Sequence, residues 1–466
     1  MKVFASVAVI IGVALGLHAA PASASTAQLV QAVIPPECKY VPPGESCPPG
    51  SDTILVYEAG LGEANRVTLT RTPEELRVTD AGAVVEPGAG CSSIDVHGVR
   101  CSGSDIGVFV MTGGGADTIR LELTGRAIAD GGAGDDLLLG GPGGDRLYGG
   151  RGDDVLRGGD GPDGLHDASL RQPLRSGDLS PFHEETVLAL AAPGRGRDSF
   201  DGGADSDTVS YRGRLAGVRV DLANTAAIGG ARGEHDAVRD VESAFGGAGD
   251  DRLAGNDKRN NELDGGGGDD RIAGRRGVDY IEGGPGRNVI FAGPGDDYVN
   301  SRYRGTDFGD ERTFCGPGAD NVSWIFPSDF LNDDCEDLEF NFLREGGLFG
   351  GSVLSLLPLR KDGTRVVLVA PELWCYFVAN PSGCRLQLEL LVQGPGTRRG
   401  TAPPTGTVLG SRSYEFAPNE RKAVTFALSA TGARILRRHR SLRVRIRADD
   451  GSPRPGGYLT VLRAPR

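Results

Sequence analysis

The chain has 466 residues, of which 74 are Gly, about 16% against a usual share of about 7%. Acidic residues outnumber basic ones 63 to 50, for a net charge of −13. Collagen, with Gly at about every third residue, is excluded, and so is low-complexity disorder, because Gly plus Pro stays below about 25% and 38% of the residues are hydrophobic.

The charge is unevenly placed. Residues 345–466 hold 19 Lys/Arg and 8 Asp/Glu, a net of +11, which leaves 31 and 55, a net of −24, for residues 1–344. An acidic body repels nucleic acid and attracts cations, so no nucleic-acid partner is expected. The basic tail is either a solvated surface or a contact for a polyanion.

Residues 1–24 read as a secretory signal peptide. Lys2 supplies the positive start, Val7 to Leu17 the short apolar run, and Ala22-Ser23-Ala24 the small-residue cleavage site. No later stretch reaches the roughly 18 apolar residues of a membrane span, so a secreted, extracellular product without a transmembrane segment is expected. The eight Cys fit that compartment and fall into four sequence-neighbour pairs: Cys38/Cys47, Cys91/Cys101, Cys315/Cys335 and Cys375/Cys384. Disulfides are the expectation. Zinc is the rival, though no C-x-x-C occurs.

Residues 25–130 contain short β-branched runs punctuated by Gly and Pro, read as strands that lead into a repeat. From Gly131 to His166 the chain is GGAGDDLLL, GGPGGDRLY, GGRGDDVLR, GGDGPDGLH, four nonapeptides without a gap. Asp recurs at Asp136, Asp145, Asp154 and Asp163, and Leu at Leu138, Leu147, Leu156 and Leu165. Residues 167–245 form an insertion with short strands, including a candidate helix over 182–192. A second array and its cap occupy residues 246–344. Its sixth-position column is Asp251, Asn261, Asp270, Asp279, Asn288 and Asp297, and its apolar column runs from Leu253 to Val299. Isolated copies surround Asp117, Asp207 and Asp320.

Each residue type has a physical reason. Gly permits the positive φ of a tight turn. One short extended segment cannot bury itself, so the apolar eighth position requires stacked copies, the logic of a parallel β-solenoid. Two nonapeptides make one turn, which brings units n and n+2 to the same side. Stacked Asp columns repel unless a cation lies between them, and carboxylates with turn carbonyls form an all-oxygen set suited to Ca²⁺ rather than Mg²⁺. No His or Cys enters the columns to favour Zn²⁺ or Cu²⁺. The bland alternative is that Asp merely caps turns, but it does not account for a nine-residue phase shared with the apolar column.

The units resemble the G-G-x-G-x-D-x-U-x nonapeptide of RTX, or haemolysin-type, calcium-binding proteins. The resemblance implies a β-roll with Ca²⁺ held by Asp of units n and n+2 and by Gly-turn carbonyls. Carried onto this sequence, it pairs Asp136/Asp154, Asp145/Asp163, Asp251/Asp270 and Asp279/Asp297. Asn261/Asp279 and Asp270/Asn288 carry a neutral amide. Asp207 and Asp320 belong to isolated copies, the former with Asp205 in place of the fourth Gly.

Residues 345–466 show seven strand-like runs with a short helix near Gly432–Arg438, which suggests a small β-sandwich. The cysteines followed by alternating strands resemble Ig-like C-terminal domains of exported bacterial proteins. The expected class is therefore all-β, a parallel β-roll or β-solenoid followed by a β-sandwich.

No enzyme is expected. His183-Glu184-Glu185 lacks the second His of a zinc protease, and neither a G-x-S-x-G elbow nor a P-loop occurs. The expected function is calcium binding with folding or stiffening of the roll. The alternatives are an extracellular adhesin or matrix protein contacting a cell surface or glycan through the sandwich, and a polysaccharide-active β-helix enzyme.

Overall fold

The computed structural model describes residues 25–34, 50–60, 62–103, 106–170, 195–223, 229–300, 311–323, 330–331, 335, 337–339, 349–350, 355–356, 368–375, 384–395, 406–417, 421–426, 428–439, 441–449 and 456–463. Residues 1–24, expected to be a signal peptide, the candidate helix over 182–192 and the Cys38/Cys47 pair lie outside the described residues, as do the side chains of Cys375 and Cys384.

The chain is nearly all strand, with one helix, Ala430–His439, among the described residues. None of the described helices is long and apolar enough to cross a membrane. Three-residue strands climb in parallel stacks, because each nonapeptide supplies one inward apolar side chain between two turns. Leu137–Leu139 pairs with Val155–Gly159, and Leu138 faces Leu156, so one turn advances by 18 residues. The alternate units stack on the opposite sheet, where Leu147 faces Leu165. The columns of Leu, Ile and Val at the eighth position are sealed: Leu138, Leu147, Leu156, Leu165, Leu263, Ile281, Ile290 and Val299 have no solvent exposure.

One sheet runs unbroken through 14 strands from the N-terminal hairpin to Asp337–Glu339. The facing side is split in two. Its first part ends at Ala237–Arg239, and its second begins at Val218–Asp221 and Arg252–Ala254. Ser199–Gly203 and Thr208–Ser210 continue the first stack in register. The break between the two facing parts therefore falls at residues 211–236, where Val218–Asp221 turns back on Gly230–Ala231.

Antiparallel pairs close the N-terminal end. Ser25–Ile34 lies against Gly50–Glu58, and Arg66–Arg71 against Glu75–Asp80. The Cys91–Cys101 disulfide ties two further strands. Cys315 and Cys335 are bonded in the last turns. The sequence places the second array and its cap within residues 246–344, and beyond that range Gly456–Arg463 of the C-terminal region pairs with the sheet edge at Phe330–Leu331. That region forms antiparallel strands in two groups. One continues the solenoid sheet through Ser441–Asp449, Cys384–Pro395 and Val408–Phe416. The other joins Leu368–Cys375 to Arg421–Phe426.

Candidate metal-binding turns

Each sixth-position side chain sits at the end of a turn and reaches back one layer. Asp136 N–H donates to Oδ1 of Asp154 at 2.9 Å, and Asp145 N–H to Asp163 at 2.7 Å. Asp251 N–H donates to Asp270 at 2.7 Å, and Asp279 N–H to Asp297 at 2.8 Å. Asn261 N–H reaches Asp279 at 2.8 Å, and Asp270 N–H reaches Asn288 at 2.9 Å. All six pairs read from the sequence are thus brought together, each through one side-chain oxygen.

Asp207 and Asp320 extend the columns. Asp163 N–H donates to Asp207 at 2.9 Å, and Asp297 N–H to Asp320 at 2.9 Å. Asp205 does not abolish its turn. It adopts φ 79°, a left-handed conformation that Asp tolerates better than most residues.

The other carboxylate oxygen sets the chemistry. Oδ2 of Asp117, Asp136, Asp163, Asp207, Asp270, Asp279 and Asp297 is buried and has no hydrogen-bond partner among the described residues. A buried unpaired carboxylate oxygen is costly. Burial pushes the Asp136, Asp163 and Asp270 carboxyls up to about 8, and those of Asp154, Asp207 and Asp279 up to about 7. Neighbouring column carboxylates add to this at Asp136, where Asp154 and Asp117 raise it further. Asp145 and Asp251 are pushed only to about 6. Their second oxygens accept N–H bonds from Gly141 at 2.9 Å and Gly247 at 2.6 Å.

The two Asn positions show what the empty valence faces. Asn288 puts its Nδ2 where Asp has its second oxygen, and donates to the Gly284 carbonyl at 2.9 Å. Asn261 uses both amide atoms within the fold, accepting from Asn256 N–H and donating to the Glu242 carbonyl, each at 2.9 Å. An amide satisfies these turns with its own hydrogens. A carboxylate in the same place has no donor to offer and needs a proton or a cation.

The turn geometry requires Gly where layers touch. Gly286 has φ 144°, and a Cβ there would land on the Gly268 carbonyl oxygen of the layer below. A Cβ at Gly158 would occupy the space beside Oδ2 of Asp163. Among the described residues no three His, Cys, Asp or Glu side chains converge. A cation between layers would therefore draw on turn carbonyls as well as Asp, the all-oxygen set that suits Ca²⁺.

Sequence reasoning missed several column members. Asp154 N–H donates to Asp198 at 2.9 Å, Asp198 N–H to Asp236 at 3.0 Å, and Asp207 N–H to Glu242 at 2.9 Å. Gly194-Arg-Gly-Arg-Asp198-Ser-Phe200 keeps the spacing G-x-G-x-D-x-apolar, a signal hidden by the preceding insertion. Asp236 follows Gly229, Gly230 and Gly233 out of phase with the repeat, and Glu242 has no glycine at the repeat's turn positions.

At the break in the facing sheet the protein supplies its own cation. Arg214, 4% exposed, clasps Asp167 at 2.6 and 2.7 Å and Glu234 at 2.8 Å. Tyr211 donates its hydroxyl to Oδ2 of Asp236 at 2.9 Å. A guanidinium and a phenol here satisfy carboxylates that elsewhere have no partner.

The family model "RTX calcium-binding nonapeptide repeat" matches the chain in four copies, at residues 130–165, 194–212, 245–281 and 274–301. The second copy covers the turns of Asp198 and Asp207. No curated protein matches the chain.

Proposed function

From the premise that this chain carries RTX calcium-binding nonapeptide repeats, we propose that it is a secreted calcium-binding protein whose solenoid folds or stiffens as the ions enter. The supporting observation is the row of buried, partnerless Oδ2 atoms repeated layer after layer. Asp136, Asp154, Asp163, Asp207, Asp270, Asp279 and Asp297 are the residues proposed to hold Ca²⁺, together with turn carbonyls. Asp145 and Asp251 contribute with one oxygen already engaged by a turn N–H. Asn261 and Asn288, whose amides are already engaged within the fold, are the weaker members of the proposed set.

Calcium supplies positive charge that offsets the Asp columns. Because the ligands come from different layers, binding and stacking are linked. Extracellular modules bind Ca²⁺ at about 10⁻⁴–10⁻³ M, which suits a chain that stays loose before export and orders outside. The reading assigns no reaction to the chain.

Circular dichroism and thermal melting of the whole chain, in chelator and in millimolar Ca²⁺, test the coupling. A gain of strand signal and a higher Tm in Ca²⁺ are expected. Superimposable spectra and melts would remove the proposal.

A further inference from the structure

The second part of the facing sheet carries a row of arginines on its outer face. Arg219, Arg252 and Arg271 stand directly opposite one another on successive parallel strands. Val289 follows, then Arg312. All four arginines are exposed. Arg219 and Arg252 have no ion pair among the described residues, and Arg271 lies over the Phe291 ring at 4.6 Å. Like charges directly opposite on neighbouring strands are destabilising, and strands repeat at about 4.8 Å.

The first part of the facing sheet shows the contrast. There Arg157 and Arg239 are separated by Asp201 in the same column, so the repulsion is relieved internally. Beside the arginine row, on the same outer face, runs a column of Asp221, Ala254, Ala273, Phe291 and Phe314, in which the two rings stack on each other at 4.9 Å and carry the guanidinia of Arg271 and Arg312. The sheet then continues into the net +11 region.

We infer that this outer face docks a linear acidic polysaccharide, whose carboxylates or sulfates meet the arginine row. The row offers three charges on successive strands and a fourth beyond Val289, on an otherwise acidic solenoid. DNA, with one charge per about 1.7 Å, would meet the exposed Asp250 at the turn edge, whereas Asp269 there is paired with Arg287. A polysaccharide of lower charge density would set fewer anions against that edge. The inference goes beyond calcium binding and rests on it only in needing the solenoid folded.

The test measures binding of the full chain in saturating Ca²⁺ to chondroitin sulfate, with uncharged dextran and duplex DNA for comparison. Salt-sensitive binding to chondroitin sulfate and none to dextran is expected. The variant Arg219→Gln/Arg252→Gln/Arg271→Gln should lose at least about tenfold in affinity, and its log K against log salt slope should flatten by about two to three. Arg252→Gln alone should lose about twofold to threefold, with a slope change of about one. Arg120→Gln/Arg157→Gln/Arg239→Gln removes the same charge from the other part of the sheet and should stay within about twofold, as expected when the contacts are specific rather than a net-charge effect. Equal losses in the two triples, no loss in the first, absence of binding, or DNA bound as tightly as chondroitin sulfate would each overturn the inference. A chain blind to Ca²⁺ by circular dichroism that still binds through the arginine row would sink the calcium proposal alone.

Discussion

Asp270→Asn separates the cost of a buried charge from its use. Asp270 accepts the Asp251 N–H at 2.7 Å through Oδ1, and its Oδ2 is buried without a partner. Asn288, next in the same column, accepts the Asp270 N–H at 2.9 Å, so an amide fits this geometry. The substitution therefore keeps the layer-to-layer bond and deletes the charge. Burial, with Asp251, Asp250 and Asp264 nearby, pushes the Asp270 carboxyl from 3.8 up to about 8. At about 1.4 kcal/mol per unit, the charged form costs at most about 5–6 kcal/mol at pH 8. Without calcium, Asp270→Asn should thus raise Tm by several degrees. With calcium, the Asp251/Asp270 pair loses a ligand, and affinity at that step should fall at least about tenfold, or about 1.4 kcal/mol. Thermal melts at pH 8 in chelator and across a Ca²⁺ series read both effects. A variant destabilised equally in both buffers, or stabilised equally in both, refutes the reasoning.

Column carboxyls raised in the folded state to about 6–8 bind protons that the unfolded chain, near 4, has released. Their contribution is therefore fully present below about pH 4 and lost as pH rises through about 8. The calcium-free chain should melt higher at pH 5 than at pH 8, and saturating Ca²⁺ should flatten that dependence; an opposite slope in chelator counts against the columns. Gly286→Ala meets the Gly268 carbonyl at φ 144°, and should lower Tm in both buffers, with a loss of more than about 1 kcal/mol by denaturant titration. Arg214→Met leaves the buried Asp167 and the half-buried Glu234 without their cation. It should cost about 3–5 kcal/mol, by the same amount with and without calcium, because no ion is proposed at that junction; rescue by Ca²⁺ would contradict this.

The period was legible because it is physical. Nine residues make a half-turn, so Leu138 meets Leu156 and Asp136 meets Asp154 from spacing alone. Asp198 and Asp236 were hidden because chain excursions put 44 and 38 residues between successive column members, although each returns to the same hydrogen bond. Arg214 could not be read as a counter-ion, since its meeting with Asp167, 47 residues earlier, depends on how the excursion folds back. Asp205 weakened the expected turn on paper, yet the backbone accepts φ 79° there. In the C-terminal region, alternation located strands such as Cys384–Pro395 and Ser441–Asp449. It carried no sign that Gly456–Arg463 would cover the solenoid edge at Phe330.

The stoichiometry of Ca²⁺ on the purified full chain, by equilibrium dialysis, bears most directly on the columns. They predict about four or more ions per chain, bound in the extracellular range of about 10⁻⁴–10⁻³ M, with fewer on Asp270→Asn. A chain that takes up no calcium at millimolar concentration, or binds the same number after that substitution, would contradict the assignment of these turns.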